Sequence, residues 1–295
     1  PYVFLVPAVA LLILGLFVPL WNSFYLSFFD WDMGTPWESK EFIGLDSYIR
    51  MFQDDDVYES VWVTLKFSFW VMFLEMILGI GLALLLEKPI RGMAVFRTIF
   101  ILPLMVSPVA VGLIWKYLYD ARTGIFNYYL EEIGEAIPIL QYVGFNRQLW
   151  LADPDLALTS IIITDVWQWT PFIVIIILAG LQALPSDATE AAYIDGANWW
   201  QMIIFIKLPM ISTIIQVTFL MRLIDVFRAM EVMFILTFGG PGLSTQVLAL
   251  HIYKTAFTAQ QLGYASTISM LLIAILLVLS LGVLFYQNPL KDEER

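Results

Sequence analysis

Apolar runs long enough to cross a membrane recur along nearly the whole chain, and they constrain the fold more than any motif does. A hydrocarbon layer about 30 Å thick takes about 20 apolar residues per helix. Runs of that length cover 2–29, 60–86, 98–119, 156–183, 209–238 and 262–287. They predict an all-α membrane protein, a single domain over 1–295 with six transmembrane helices. With 60% hydrophobic and 14% charged residues, a soluble domain is excluded, since about 45–50% apolar is usual there. The first run contains Pro7 and Pro19, which a membrane helix tolerates where neighbours satisfy the freed carbonyls. It is too long for a signal-peptide core and lacks a small-residue cleavage pattern, so it is read as a retained span. The third run holds Pro103 and Pro108 around Ser107, which predicts a broken helix facing protein or a cavity rather than lipid.

The connecting stretches alternate in charge. Residues 30–59 carry Asp30, Asp32, Glu38, Glu41, Asp46, Asp54, Asp55, Asp56 and Glu59 against Lys40 and Arg50, whereas 87–97 carry Lys88, Arg91 and Arg97 against Glu87. Basic residues concentrate in short cytoplasmic loops, so 30–59 and the mostly acidic 120–155 are expected to be external. Both termini, including Lys291 to Arg295, are then cytoplasmic. One loop breaks this rule: 184–209 falls on the cytoplasmic side by parity, yet holds Asp187, Glu190 and Asp195 against Lys207 alone. Its residues answer to something other than topology.

Local signals divide that loop into helix, bend, helix. Asp187 with Glu190 and Asn198 with Gln201 both have the spacing of a capping box, and Asp195-Gly196 provides a stop between them. Trp199, Trp200, Ile203 and Ile204 form an apolar face that needs a neighbouring helix or a docking groove. The expectation is a coupling segment, 185–209, exposed in this chain alone, with Trp199, Trp200 or Ile203 covered only when a partner is present.

Much chemistry is absent. There is no cysteine and one histidine, His251, so neither a thiolate site nor a histidine metal cluster can form. There is no Gly-x-x-x-x-Gly-Lys-Ser/Thr phosphate loop. Any ATP that powers this protein is therefore bound by another chain. A net charge of −11 argues against nucleic acid as a partner.

Glu190-Ala191-Ala192-x-x-Asp195-Gly196-Ala197, followed by Ile206-x-Leu208-Pro209, resembles the EAA loop in permease subunits of binding-protein-dependent ABC importers. Ile203 stands where that family often has Phe. Phe42-Ile43-Gly44-Leu45, Gly239-Gly240-Pro241 and the stretch from Ile252-Tyr253 to Gly263-Tyr264-Ala265-Ser266 resemble its carbohydrate-uptake branch, of the maltose and glycerol-3-phosphate type. The resemblance implies a bacterial or archaeal inner-membrane heterodimer of two related permeases, two cytoplasmic ATPases that hold ATP and Mg, and an external solute-binding protein. No cofactor and no catalytic or metal site is then expected in this chain. It implies Glu190 and Gly196 as key positions of the ATPase contact, with spans three to five rotating as the ATPases close.

Charges inside the spans supply the solute-path candidates. Arg222, Asp225, Arg228 and Glu231 recur every three residues in the fifth run. Such a row can line a path or its gate, or neutralise itself as a ladder against the partner permease. In the fourth run Asp165, Trp167, Gln168 and Trp169 combine a carboxylate and an amide suited to sugar hydroxyls with aromatic faces suited to the ring. The tryptophans can also serve as interfacial anchors. Glu75 and Ser107 are further candidates. His251 is read as an ordinary exposed or contact histidine, and Gly239 to Gly242 as a stop or a gate. The rival reading is an ion-coupled secondary transporter using Asp165, Asp225 or Glu231, which would show internal repeats. An intramembrane enzyme lacks a nucleophile and base pair.

Overall fold

The computed structural model describes residues 2–87, 92–137, 139, 142 and 144–286. Lys88, Arg91 and the C-terminal 291–295, used above to orient the chain, lie outside the described residues. The first run is helical as α1 (Tyr2–Leu12) and α2 (Val18–Leu26), joined by a π-helical turn at Ile13–Phe17. Pro19 has no N–H to offer the carbonyl one turn earlier, and the widened turn absorbs that defect. The next stretch departs from an all-helical description. A two-residue ribbon pairs β1 (Phe29–Asp30) with β2 (Glu41–Phe42) antiparallel, before the short helix α3 (Asp46–Met51).

The long α4 (Asp55–Leu86) starts where the Asp54 carboxylate accepts the Asp56 N–H at 3.0 Å, with Asp55 and Asp56 favourably placed in the first turn. The third run is broken as expected: α5 (Met93–Met105) and α6 (Pro108–Leu118) meet at 102°. Pro108 drives Ser107 out of the helical region, and Val106 is extended as well. After α7 (Ile125–Ala136), Asp153 caps α8 (Pro154–Gln182) by accepting the Asp155 N–H at 2.9 Å. The segment that follows comprises α9 (Ser186–Ile194), α10 (Trp199–Gln201), a π-helical turn (Met202–Lys207) and α11 (Leu208–Met210). A bend of 68° at Ile211 leads into α12 (Ser212–Arg228) and α13 (Glu231–Leu236). The chain continues through α14 (Leu248–Tyr253) and α15 (Leu262–Tyr286). Among the described residues, four helices are each long and apolar enough to cross a membrane, and up to six spans result if each bent pair counts as one.

The bundle is organised on α4 and α8, which run in contact along their length, with α12 against both. Between apolar helices in lipid, association depends on close packing rather than on water exclusion. A Cβ on Gly79 of α4 would lie 2.5 Å from Ile173 Cγ2 of α8, so only glycine permits this approach. Two apolar clusters result. One gathers Phe67, Val71, Ile161, Val226 and Met233, and the other Ala83, Ile173, Ile177, Leu181 and Ile211. Helices α1 and α2 stand outside them: the apolar window of that run has no buried residue.

Candidate functional site

Between the two apolar clusters lies a buried charged triad. Arg222 of α12 donates through Nε and Nη2 to the carboxylate oxygens of Glu75 on α4, at 2.6 and 2.8 Å, and through Nη2 to Asp165 on α8. All three side chains are at most 3% exposed. The guanidinium fork matches a carboxylate edge to edge, which is why an arginine holds this position better than a lysine would. The Trp169 ring covers the guanidinium at 4.8 Å from its centroid, adding a cation–π contact. Gln168 is also buried, and its Nε2 donates 3.1 Å to the Val106 carbonyl at the break between α5 and α6. Three helices and the broken span thus converge on one polar centre. An apolar cleft of about 730 Å³ opens beside it, lined by Trp62, Phe69 and Phe73 of α4 and Phe219 and Phe227 of α12. None of the triad lines that cleft.

This geometry corrects several expectations. The row from Arg222 to Glu231 is not a ladder. Arg222 turns into the bundle, and Asp225 and Arg228 form an exposed, long contact of 3.8 Å. Glu231 lies beyond a helix break at Ala229–Met230, exposed, accepting the Met230 N–H at 3.2 Å. Asp225 and Arg228 thus lie on α12 and Glu231 on α13, so the row does not run along one continuous helix. Trp167 does not join Trp169. It points to the opposite side of α8 and meets Trp115 of α6 edge-on at 5.5 Å, half exposed. Glu75, one of the lesser candidates, is central. Its signal was present in the sequence, because a carboxylate deep in an apolar run needs a cation and Arg222 is the cation nearest mid-span.

The 184–209 segment is built mainly as its sequence indicates. Helix α9 closes with Ala197 N–H donating to Ala192 O at 3.0 Å and Gly196 N–H to Tyr193 O at 3.1 Å, the paired bonds of a Schellman stop. Gly196 has φ +81°, and a Cβ there would meet nothing within 4 Å. Its requirement is conformational, not steric. The capping box of Asn198 and Gln201 is complete, with both bonds at 2.8–2.9 Å. The other expected box is absent: α9 begins at Ser186 after Pro185, with no side-chain cap, so Asp187 and Glu190 stay free of that role. Glu190, Ala191, Asp195 and Gly196 are exposed, Ala192 is buried and Ala197 half-buried.

Tyr193 and Ile194 are 78% and 85% exposed, and Trp200 is 65% exposed against Trp199, whose ring it meets at 4.5 Å. Ile203 departs from expectation: it is buried within this chain, since the π-helical turn rolls it under α9. Leu208 is half-buried against the second cluster, while Pro209 is exposed. Lys207 reaches the carboxylate of Glu87, just past the end of α4.

His251 is a buried contact residue. Its Nδ1 lies 2.8 Å from Ser60 Oγ of α4 and 3.2 Å from Gln246 Nε2, and Lys254 in turn bonds Gln246 Oε1. Burial holds the imidazole below its usual value of 6.5, against the opposing pull of Asp54 and Asp56. Among the described residues, no group of three or more histidine, cysteine, aspartate or glutamate side chains is placed to hold a metal.

Known proteins resemble this chain over most of its length. The family model described as "binding-protein-dependent transport system inner membrane component" matches residues 75–288. A probable ABC transporter permease of Sinorhizobium fredii is 37% identical, over 94% of this chain and 86% of that protein. A trehalose/maltose transport system permease of Thermococcus litoralis is 32% identical, over 96% of this chain and 91% of its own length. In fold, a chain of a bacterial ABC transporter that imports the acidic polysaccharide alginate superposes with a TM-score of 0.80 at 23% identity, over 97% of this chain and 94% of that one.

Proposed function

Because the chain belongs to the inner membrane components of binding-protein-dependent transport systems, we propose that it is one permease of an ATP-driven importer of a neutral sugar or sugar-like solute. In this reading each bent helix pair is one span, giving six, and both termini and the 185–209 segment face the cytoplasm. The segment docks on an ATPase, one of two that carry ATP and Mg. A second, homologous permease completes the path, and a solute-binding protein delivers cargo from outside against the loops 30–59 and 120–155. The chain itself performs no covalent chemistry.

The observation that carries the coupling role is the segment's construction. The first helix is stopped by backbone bonds and the next is capped by the Asn198 and Gln201 side chains, and Tyr193, Ile194, Trp199 and Trp200 are left uncovered beside Glu190 and Gly196. Aromatic residues of this kind dominate protein contacts. The test is substitution of Glu190 or Gly196 in the assembled complex. Loss of solute-stimulated ATP hydrolysis and transport is expected, and unchanged values for both would refute the role. ATP-independent uptake by this chain alone would favour the ion-coupled carrier instead.

The triad supports the choice of a neutral cargo. Arg222 is already held by two carboxylates and covered by Trp169, so it is not available to recognise a phosphate, sulfonate or uronate. Asp165 and Gln168 are buried as well, so of this group the half-buried Trp169 is what a solute passing beside the triad would meet, an aromatic face suited to a sugar ring. Reconstituted importer is expected to take up maltose or trehalose in preference to glycerol phosphate or oligouronates. Preference for the anions would overturn the assignment.

A further inference from the structure

The coupling segment is joined to the bundle by more than its own chain. Lys207 Nζ lies 2.6 and 2.7 Å from the two carboxylate oxygens of Glu87, and the two side chains are only 18% and 24% exposed. Lys207 ends the π-helical turn of the segment, whereas Glu87 ends α4. Helix α4 is tied a second time deeper in the bundle, where Arg222 of α12, the helix that follows the segment, grips Glu75. Glu75 and Glu87 are 12 residues apart on one helical path, about 18 Å at 1.5 Å per residue. Segment, α12 and α4 therefore close a frame with an ion pair at each end, and Ile211, Ala83 and Leu86 pack between them.

This closure matters because the covalent connection alone is a poor lever. The segment turns 68° into α12 at Ile211, which has left the helical region with φ −100° and ψ 12°. A push on Trp199 and Trp200 would be taken up partly by that bend. We propose that the Lys207–Glu87 ion pair is a positioning link that carries the segment's movement directly to α4 and makes α4 part of the moving body. Span two then joins the three-to-five set implied by resemblance, within which span three stays packed through Lys116 Nζ on the Ile235 carbonyl and Gln168 on the Val106 carbonyl. The inference rests on the reading of 185–209 as the ATPase-docking element. A pair this sheltered also contributes to folding, so the unfolding temperature is read beside the ATPase ratio, and exchanging the two charges separates the two effects.

The experiment uses the whole complex in proteoliposomes with its purified binding protein, carrying the solute with which it copurifies. Glu87→Gln and Lys207→Met are each expected to lower the ratio of binding-protein-stimulated to basal ATP hydrolysis about five-fold, the low end of coupling between sites. The exchange Glu87→Lys with Lys207→Glu is expected to restore it. This chain has no cysteine, so Glu87→Cys and Lys207→Cys, in a complex otherwise free of thiols, can be joined by a short bifunctional thiol reagent. Before joining, the double-cysteine complex lacks the ion pair and is expected to show the same lowered ratio, and joining is expected to restore it, because the link holds the two elements together through the cycle. A double-cysteine complex that stays unstimulated after joining would overturn the proposal, as would single variants that retain the full ratio while Glu190 and Gly196 variants lose it. If Glu190 and Gly196 variants also keep the ratio, it is the docking reading that fails.

Discussion

The triad and the coupling segment treat charge in opposite ways. At mid-bundle Glu75, Asp165 and Arg222 are buried and bonded to one another. On the segment Asp187, Glu190 and Asp195 are exposed, and no ion pair engages them among the described residues. Burial dictates the difference. An unpaired charge surrounded by hydrocarbon is costly, so the inner charges must meet within the chain. A charge in water has no such obligation and remains available to a partner. The inner region is thus complete in the single chain, and the segment is complete only in its internal hydrogen bonds.

The largest effect that can test this contrast is at Arg222. Arg222→Ala strands two buried carboxylates and is expected to destabilise the complex by about 3–5 kcal/mol, read as a lowered unfolding temperature in detergent. Replacing all three charges together with apolar residues of similar volume (Glu75→Leu, Asp165→Leu, Arg222→Met) is expected to restore stability while abolishing transport. Equal instability of the single and triple variants would mean that packing, not charge pairing, holds the region. Trp200→Ala is the counterpart on the segment. It is expected to leave the unfolding temperature of the isolated chain unchanged and to weaken ATPase association by about 2 kcal/mol, the size expected for an interface aromatic. Quantitative co-purification checks it, and a stability loss with intact association would erase the distinction.

What was legible in the sequence follows the same division. The spans, the break before Pro108, the Gly196 stop and the Asn198 cap are local, and each depends on residues within about one turn. The triad is nonlocal: Arg222 meets partners 147 and 57 residues away, which the i to i+3 spacing of its own run concealed. Periodicity suggested a ladder because it ignores the option of ending the helix at Arg228. Ile203 was misplaced for a related reason. An ideal helix puts it beside Trp199 and Trp200, and the π-helical turn rotates it inward. Of the family match, the EAA pattern within 184–209 and the stretches 239–241 and 252–266 are legible because each is short and contiguous.

Smaller effects sharpen the account of how the segment keeps its shape. Gly196→Ala meets no steric obstacle, so its cost is confined to the left-handed backbone, about 1–2 kcal/mol. Asn198→Ala removes the acceptor for Gln201 N–H at a typical cost of about 1 kcal/mol. Both are expected to raise amide exchange across 186–201 without affecting α4 or α8. Exchange that rises in the bundle as well would show that the segment and bundle unfold together, against the contrast drawn above.

The smallest expected effect concerns pH at the junction of α4 and α14, where His251 is enclosed by Ser60 and Gln246, with Lys254, Asp54 and Asp56 the charged groups acting on it. Burial lowers the folded-state value of the imidazole, so around and below pH 6.5 the unfolded chain binds a proton that the folded chain does not. Stability contributed here is therefore present above about pH 6.5 and is lost as pH falls toward the lowered folded value. Asp54 behaves differently. Burial alone would raise its carboxyl, but bonds from the Tyr264 hydroxyl and the Asp56 and Val57 N–H groups outweigh that and hold it below 3.8. Its contribution is lost only under more acidic conditions, so the two groups separate along the pH axis. The protection of the Leu248 amide, whose N–H donates to Thr64 Oγ1 at 2.7 Å, taken against the intrinsic exchange rate at each pH, is expected to fall as pH drops below about 6.5 in the native chain and to lose that dependence in His251→Gln. A slope that survives the substitution would assign the proton to another group and leave His251 as packing alone.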